Sequence, residues 1–120
     1  MKLLMEKTKN YSDFVVNFAM AYGGRSEIVD AAKKIAELAK QGKIDPKKLN
    51  EEEFAKYLYM ADEPDLIIRT SGQIRTSNFL PFQSIYSEWF FLEKMWPEFE
   101  KGDLIKCIND FKQRKRTFGK

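Results

Sequence analysis

The sequence predicts an α/β fold, a partial parallel sheet flanked by helices, in a single domain covering residues 1–120. Three observations carry that expectation. FVVNFAMA (14–21), DLII (65–68) and WFFL (89–92) are short runs, apolar on both faces, as strands inside a parallel sheet are. Two stretches between the first and second runs, and one after the third, show helical spacing of apolar residues. The order strand, helix, helix, strand, loop, strand, helix then gives the alternation expected of the class.

The first run stops at Tyr22-Gly23-Gly24. Ser26 is expected to cap a helix whose inner face is Ile28, Ala31, Ala32, Ile35, Leu38 and Ala39, ending at Gln41-Gly42. After the polar link KIDPKK, Asn50 and Glu53 have capping-box spacing. Phe54, Tyr57, Leu58 and Ala61 would line one face of that second helix, and Pro64 would end it. Residues 65–68 form a strand that delivers Arg69 to its carboxyl end. Residues 78–87 are expected to include a short helix, followed by the 89–92 strand and a turn at Trp96-Pro97. Asp103 would open a last helix with Leu104, Ile105, Ile108 and Phe111 inward.

Composition excludes several chemistries. The chain has no histidine, so histidine acid–base catalysis is out, and with one cysteine so are ordinary zinc sites. A metal here would be a hard cation on oxygen ligands. Cys107 has no partner for an internal disulfide, and a cytoplasmic setting is the default expectation. No apolar run approaches the roughly 20 residues of a membrane span, and the apolar core of MKLLMEKTKN is too short for a signal peptide. The net charge is +3, with KQRKRTFGK (112–120) strongly basic. That tail reads either as a solvated helix end suited to the dipole or as a contact for an anionic partner. Without a basic stripe interleaved with stacking aromatics, nucleic-acid binding is not expected.

The most unusual stretch is RTSGQIRTSNFLPFQ (69–83). Arg69 and Arg75 flank a Ser-Gly turn, and a guanidinium is a planar, permanently charged fork that matches phosphate oxygens in pairs. Ser77 adds a hydroxyl and would cap the following helix, whose positive end would face the same anion. Ligands gather at the carboxyl ends of strands in such sheets, so Gly23-Gly24-Arg25 and residues 69–77 are expected on one side. Two arginines with a helix start suit a diphosphate. Spacing alone leaves open that both arginines pair with surface carboxylates while Ser77 merely caps.

PDLIIRTSGQIRTSNFLPFQSIYSEWFF resembles the C-terminal signature of the cis-prenyltransferases, the undecaprenyl diphosphate synthase family, over about 25 residues. AYGGRSEIVDA is similar to that family's Asn-Tyr-Gly-Gly-Arg segment, and RTFGK to its closing Phe-Gly terminus. The resemblance implies half of a cis-prenyltransferase fold, its C-terminal half. It also implies an isopentenyl diphosphate site on Arg69, Arg75, Thr76 and Ser77, and Mg²⁺ held in part by Glu88. The implied reaction is cis condensation of isopentenyl diphosphate with an allylic diphosphate. The implied partner is a second copy, or a chain supplying the N-terminal half, with peripheral membrane contact through the product.

Departures qualify that expectation. Gln73 stands where the family has glutamate, Ile74 where histidine is frequent, Ala21 where asparagine precedes Tyr-Gly-Gly, and Thr117 where an arginine is common. No Asp-Gly-Asn-Gly-Arg segment is present. The expectation is a chain that binds the diphosphate but is inactive alone, with a non-catalytic partner subunit or a vestigial homologue as the alternative. Phe79, Phe82, Tyr86, Trp89 and Phe90 are many aromatics for so small a chain, which points to association or to a shared core.

Overall fold

The structure, a computed structural model, describes residues 2–115 and 117. Four α-helices and two strands appear in the order α1 (Lys2–Thr8), α2 (Gly24–Lys40), α3 (Glu51–Ala55), β1 (Leu66–Arg69), β2 (Glu88–Phe91) and α4 (Lys101–Gln113). Single 3₁₀ turns occupy Pro46–Lys48 and Trp96–Glu98. Among the described residues no helix is long and apolar enough to cross a membrane.

The α/β class and the parallel pairing are as expected. β1 and β2 run parallel with Leu66 opposite Glu88 and Arg69 opposite Phe91. Both ends of the intervening crossover are pinned. Glu88 N donates to Asp65 O and the Ser87 hydroxyl to Pro64 O at one end. At the other, Ser71 N donates to Lys94 O and Gly72 N to Leu92 O.

The run at 14–21 is a different matter. It pairs with no strand and lies in the open, with Phe14 89%, Val15 81% and Val16 72% exposed. A strand exists only through a neighbour's ladder, and β1 and β2 are the only paired strands among the described residues. The expected helix at 78–87 is replaced by consecutive turns. Ser77, Asn78 and Leu80 have φ of 48°, 66° and 47°, a left-handed backbone that cannot continue into a right-handed helix.

Helix α2 begins two residues before Ser26, with Gly23 at its N-cap. Its stop is as read, with Gln41 at the C-cap and Gly42 at φ 69°. Asn50 Oδ1 accepts from Glu53 N, as the spacing implied, but α3 ends at Ala55 and only turns continue through Leu58. In α4 Asp103 sits one turn in and reaches back to Glu100 N while accepting from Lys94 Nζ, both at 2.9 Å. That capping fixes the helix's rotation, so Cys107 is the buried residue and Leu104 and Ile105 are 40% and 46% exposed. Helix α1 had no counterpart in the sequence reading. Its residues are all exposed.

The core is small: Ala31 and Ile35 from α2, Leu58 from the turn after α3, Ile67 and Phe90 from the two strands, Leu80 from the crossover and Cys107 from α4. Phe54 packs on Phe82 with centroids 5.3 Å apart. Of the five aromatics singled out, Phe90 is buried, Phe82 and Trp89 are half-buried, and Phe79 and Tyr86 are exposed.

A buried carboxylate ties these parts together. Glu27 on α2 is fully enclosed. Its Oε1 accepts from Tyr59 N at 2.8 Å and Gln83 Nε2 at 3.1 Å, and its Oε2 accepts from the Tyr22 hydroxyl. Gln83 Nε2 also donates to Met60 O. One side chain therefore joins α2, the turn after α3, and the crossover. Glu27→Ala leaves three donors without their acceptor, so unfolding free energy should fall by about 3 kcal/mol. Chemical denaturation checks this, with Lys33→Ala on the exposed face of α2 as an unaffected control.

Candidate diphosphate site at the strand ends

Strand β1 carries Arg69 to its carboxyl end, because Ile67 faces inward and fixes the strand's alternation. From there Arg69 turns back into the loop that follows it. Its Nη1 donates to the carbonyl of Arg75 at 2.5 Å and to Ser77 Oγ at 2.8 Å. Arg69 is thus a strut across the loop, with its buried Nε unpartnered among the described residues.

Arg75 differs. Its main chain accepts from Arg69, while its side chain is exposed and makes no hydrogen bond or ion pair with any described residue. Thr76 is exposed and its carbonyl accepts from Phe79 N. Arg69, Thr70, Ser71, Thr76 and Phe79 line a cleft of about 340 Å³ floored by Ile67 and Trp89. Arg69, Thr76 and Ser77 are therefore gathered at one edge, where the Arg75 carbonyl is one of the strut's two anchors.

The Gly-Gly turn comes to the same edge, although no strand leads into it. Gly24 N donates to Asn78 O at 2.9 Å, and Arg25 N donates to Asn78 Oδ1 at 2.8 Å. The expected helix start after Ser77 is absent, so the nearby helix end is that of α2, and Asn78 already occupies two of its N–H groups. Asn78 was legible only as a turn-tolerant residue beside Ser77, and nothing in the sequence says which helix it caps.

Glu88 lies elsewhere. It opens β2 opposite Leu66, about 10 Å along the sheet from the level of Arg69. Arg114 Nη1 holds its Oε2 at 2.6 Å and stacks over the Phe90 ring, 3.9 Å from the centroid. So one residue of the basic tail serves an internal pair. The similarity seen in RTFGK falls outside the described residues apart from Thr117. Gln73 and Ile74 are exposed.

The described residues contain no cluster of three acidic or sulfur and nitrogen ligands. With Glu88 engaged by Arg114 and Gln73 uncharged, they do not assemble a magnesium site.

Tyr22 backs the Gly-Gly turn, packing edge-on against Phe79 at 5.8 Å and Tyr59 at 6.4 Å. Burial, and then the bond it donates to Glu27, push its phenol far above the ordinary tyrosine range. Because the folded value is raised, the stability it supplies is complete below the unfolded value near pH 10 and is lost as pH climbs towards the folded one. Melting temperature should therefore fall above about pH 10, and Tyr22→Phe should flatten that alkaline limb. An unchanged limb in the variant counts against the assignment.

Comparison with known proteins places these features in context. The Prenyltransf family model, described as "Putative undecaprenyl diphosphate synthase", matches residues 1–119. A tritrans,polycis-undecaprenyl-diphosphate synthase (geranylgeranyl-diphosphate specific) of Methanocaldococcus jannaschii is 50% identical over 99% of this chain and 44% of its own length. An isoprenyl transferase of Streptococcus pyogenes is 46% identical over 97% of this chain and 49% of its own. The chain thus spans less than half the length of these curated relatives. Among solved structures, that of "a probable undecaprenyl diphosphate synthase" from Campylobacter jejuni superposes with a TM-score of 0.84 at 39% identity, covering 99% of this chain and 54% of that one.

Proposed function

The chain belongs to the undecaprenyl diphosphate synthase family of prenyltransferases, and we propose that it carries the site for the diphosphate of isopentenyl diphosphate in a cis condensation with an allylic diphosphate. One observation supports this most. At the carboxyl edge of the sheet, the Arg75 guanidinium is unpaired among the described residues, and the Arg69 Nε is a buried donor without an acceptor. An exposed guanidinium with no protein partner is free to take two anionic oxygens at once. Ser77 Oγ, held by Arg69, is aligned beside them. Thr76 completes the polar lining above an apolar floor that suits a five-carbon prenyl group.

In this reading the chain's own residues bind and orient the diphosphate, and the positive charge balances it during carbon–carbon bond formation. Magnesium would supply further charge neutralisation, and Glu88, the carboxylate expected to hold it, is paired with Arg114. The chain works with a second polypeptide surface, in a homodimer or a heteromer with a chain that supplies the rest of the relatives' length. The apolar, exposed, unpaired 14–21 segment supports that part.

A second reading is a non-catalytic partner subunit or vestigial homologue. The uncharged Gln73 and the unassembled metal donors favour it.

Isopentenyl diphosphate should bind the 120-residue chain in calorimetric titration, and Arg75→Ala should weaken that binding by about tenfold or more, the worth of a charge-assisted hydrogen bond. Binding untouched by the substitution favours the partner-subunit reading. With Mg²⁺, isopentenyl diphosphate and an allylic diphosphate, the chain alone should form no elongated product, and sustained turnover would overturn its dependence on a second polypeptide.

A further inference from the structure

Helix α2 starts without a cap of its own: Gly23 has no side chain to offer, yet the first N–H groups of a helix need acceptors. Both come from one residue of the site loop, 53 positions away in the chain. The main-chain oxygen of Asn78 accepts from Gly24 N, and its side-chain Oδ1 accepts from Arg25 N. The approach is close enough that a Cβ on Gly24 would fall 1.9 Å from Pro81 Cδ and 2.9 Å from Asn78 O.

Asn78 makes this contact from a left-handed backbone, at φ 66°, immediately after Ser77 at φ 48°. Such a backbone is strained in a residue with a side chain and persists only where surrounding contacts hold it. Here the holding contacts are visible. On one side Arg69 spans the loop to Arg75 O and Ser77 Oγ. On the other, the N-terminus of α2 grips Asn78. Arg75 and Ser77 lie between these two fastenings.

We infer that Asn78 is a positioning residue for the diphosphate site: by capping α2 in place of a local residue, it sets where Arg75 and Ser77 stand. This rests on the diphosphate reading of the loop. The position demands two properties together, an acceptor on a one-carbon arm and tolerance of positive φ. Asparagine and aspartate have both, glycine has only the second, and alanine has neither.

The substitutions Asn78→Gly, Asn78→Asp and Gly24→Ala separate the possibilities when amide hydrogen exchange is read in the full chain. In Asn78→Gly, exchange should quicken about fivefold both in residues 71–80 and in the first turn of α2, with α4 unchanged. Asn78→Asp should restore the slow rates. Gly24→Ala should quicken the loop without altering any loop side chain. If it unfolds the chain instead, the two Asn78 variants still decide.

Calorimetry with inorganic pyrophosphate should show a matching loss of about fivefold for Asn78→Gly. A native chain that leaves pyrophosphate unbound sinks the diphosphate reading, while the exchange rates still judge the joint. Faster exchange confined to residues 24 and 25, or an Asn78→Asp variant as fast as Asn78→Gly, overturns the role given to Asn78.

Discussion

The structure depends on one buried carboxylate. Glu27 is the point at which α2, the turn after α3 and the β1–β2 crossover meet. A charge so enclosed is tolerable only with its hydrogen bonds complete, and three donors from three segments complete them. The demand is directional in a way that apolar packing is not: a shift of any donor leaves the charge short. A small chain with seven buried apolar residues among those described therefore gains its specificity from a polar contact.

That contact sits directly behind the site. Tyr22 runs from Glu27 into the Gly-Gly turn, Gln83 runs from it into the end of the site loop, and Asn78 closes the circuit against Gly24. The loop itself holds Ser71, Ser77, Asn78 and Leu80 at positive φ. Such strain clusters where function needs a fixed shape, and here it bends the chain so that the two arginines take different work. Arg69 is spent mostly on the loop's own carbonyl and hydroxyl, while Arg75 is presented outward. Two like residues six apart are thus a brace and a contact.

The apolar segment at 14–21 is the counterpart of this order. Its residues have the composition of a buried strand, and in this chain they meet solvent. Relatives twice as long carry further chain; a sheet edge would pair the segment's N–H and C=O groups, and an apolar face would cover its side chains. The proposed dependence on a further polypeptide surface follows from that physical deficit.

Local chemistry was open to the sequence. Apolar runs at 65–68 and 89–92 became paired strands, because burial on both faces leaves few alternatives. Asn50 capped α3 and Gly42 ended α2 through interactions spanning a few residues. The arginine loop and the Gly-Gly turn were expected at one edge and do meet there, but through the grip of Asn78 on Gly24 and Arg25, because the run before the turn is no strand. What stayed hidden needed contacts between distant residues. Ser26 had the right chemistry for a cap, but Asn78 was better placed; 78–87 had helical composition, but left-handed residues broke it; Glu88 sat near the arginines in the motif, but pairing with Leu66 put it at the other end of the strand. Residue type settles what a side chain can bind, whereas which partner reaches it is a matter of three-dimensional proximity. Glu27 looks like any first-turn acid until Tyr22, Tyr59 and Gln83 close around it.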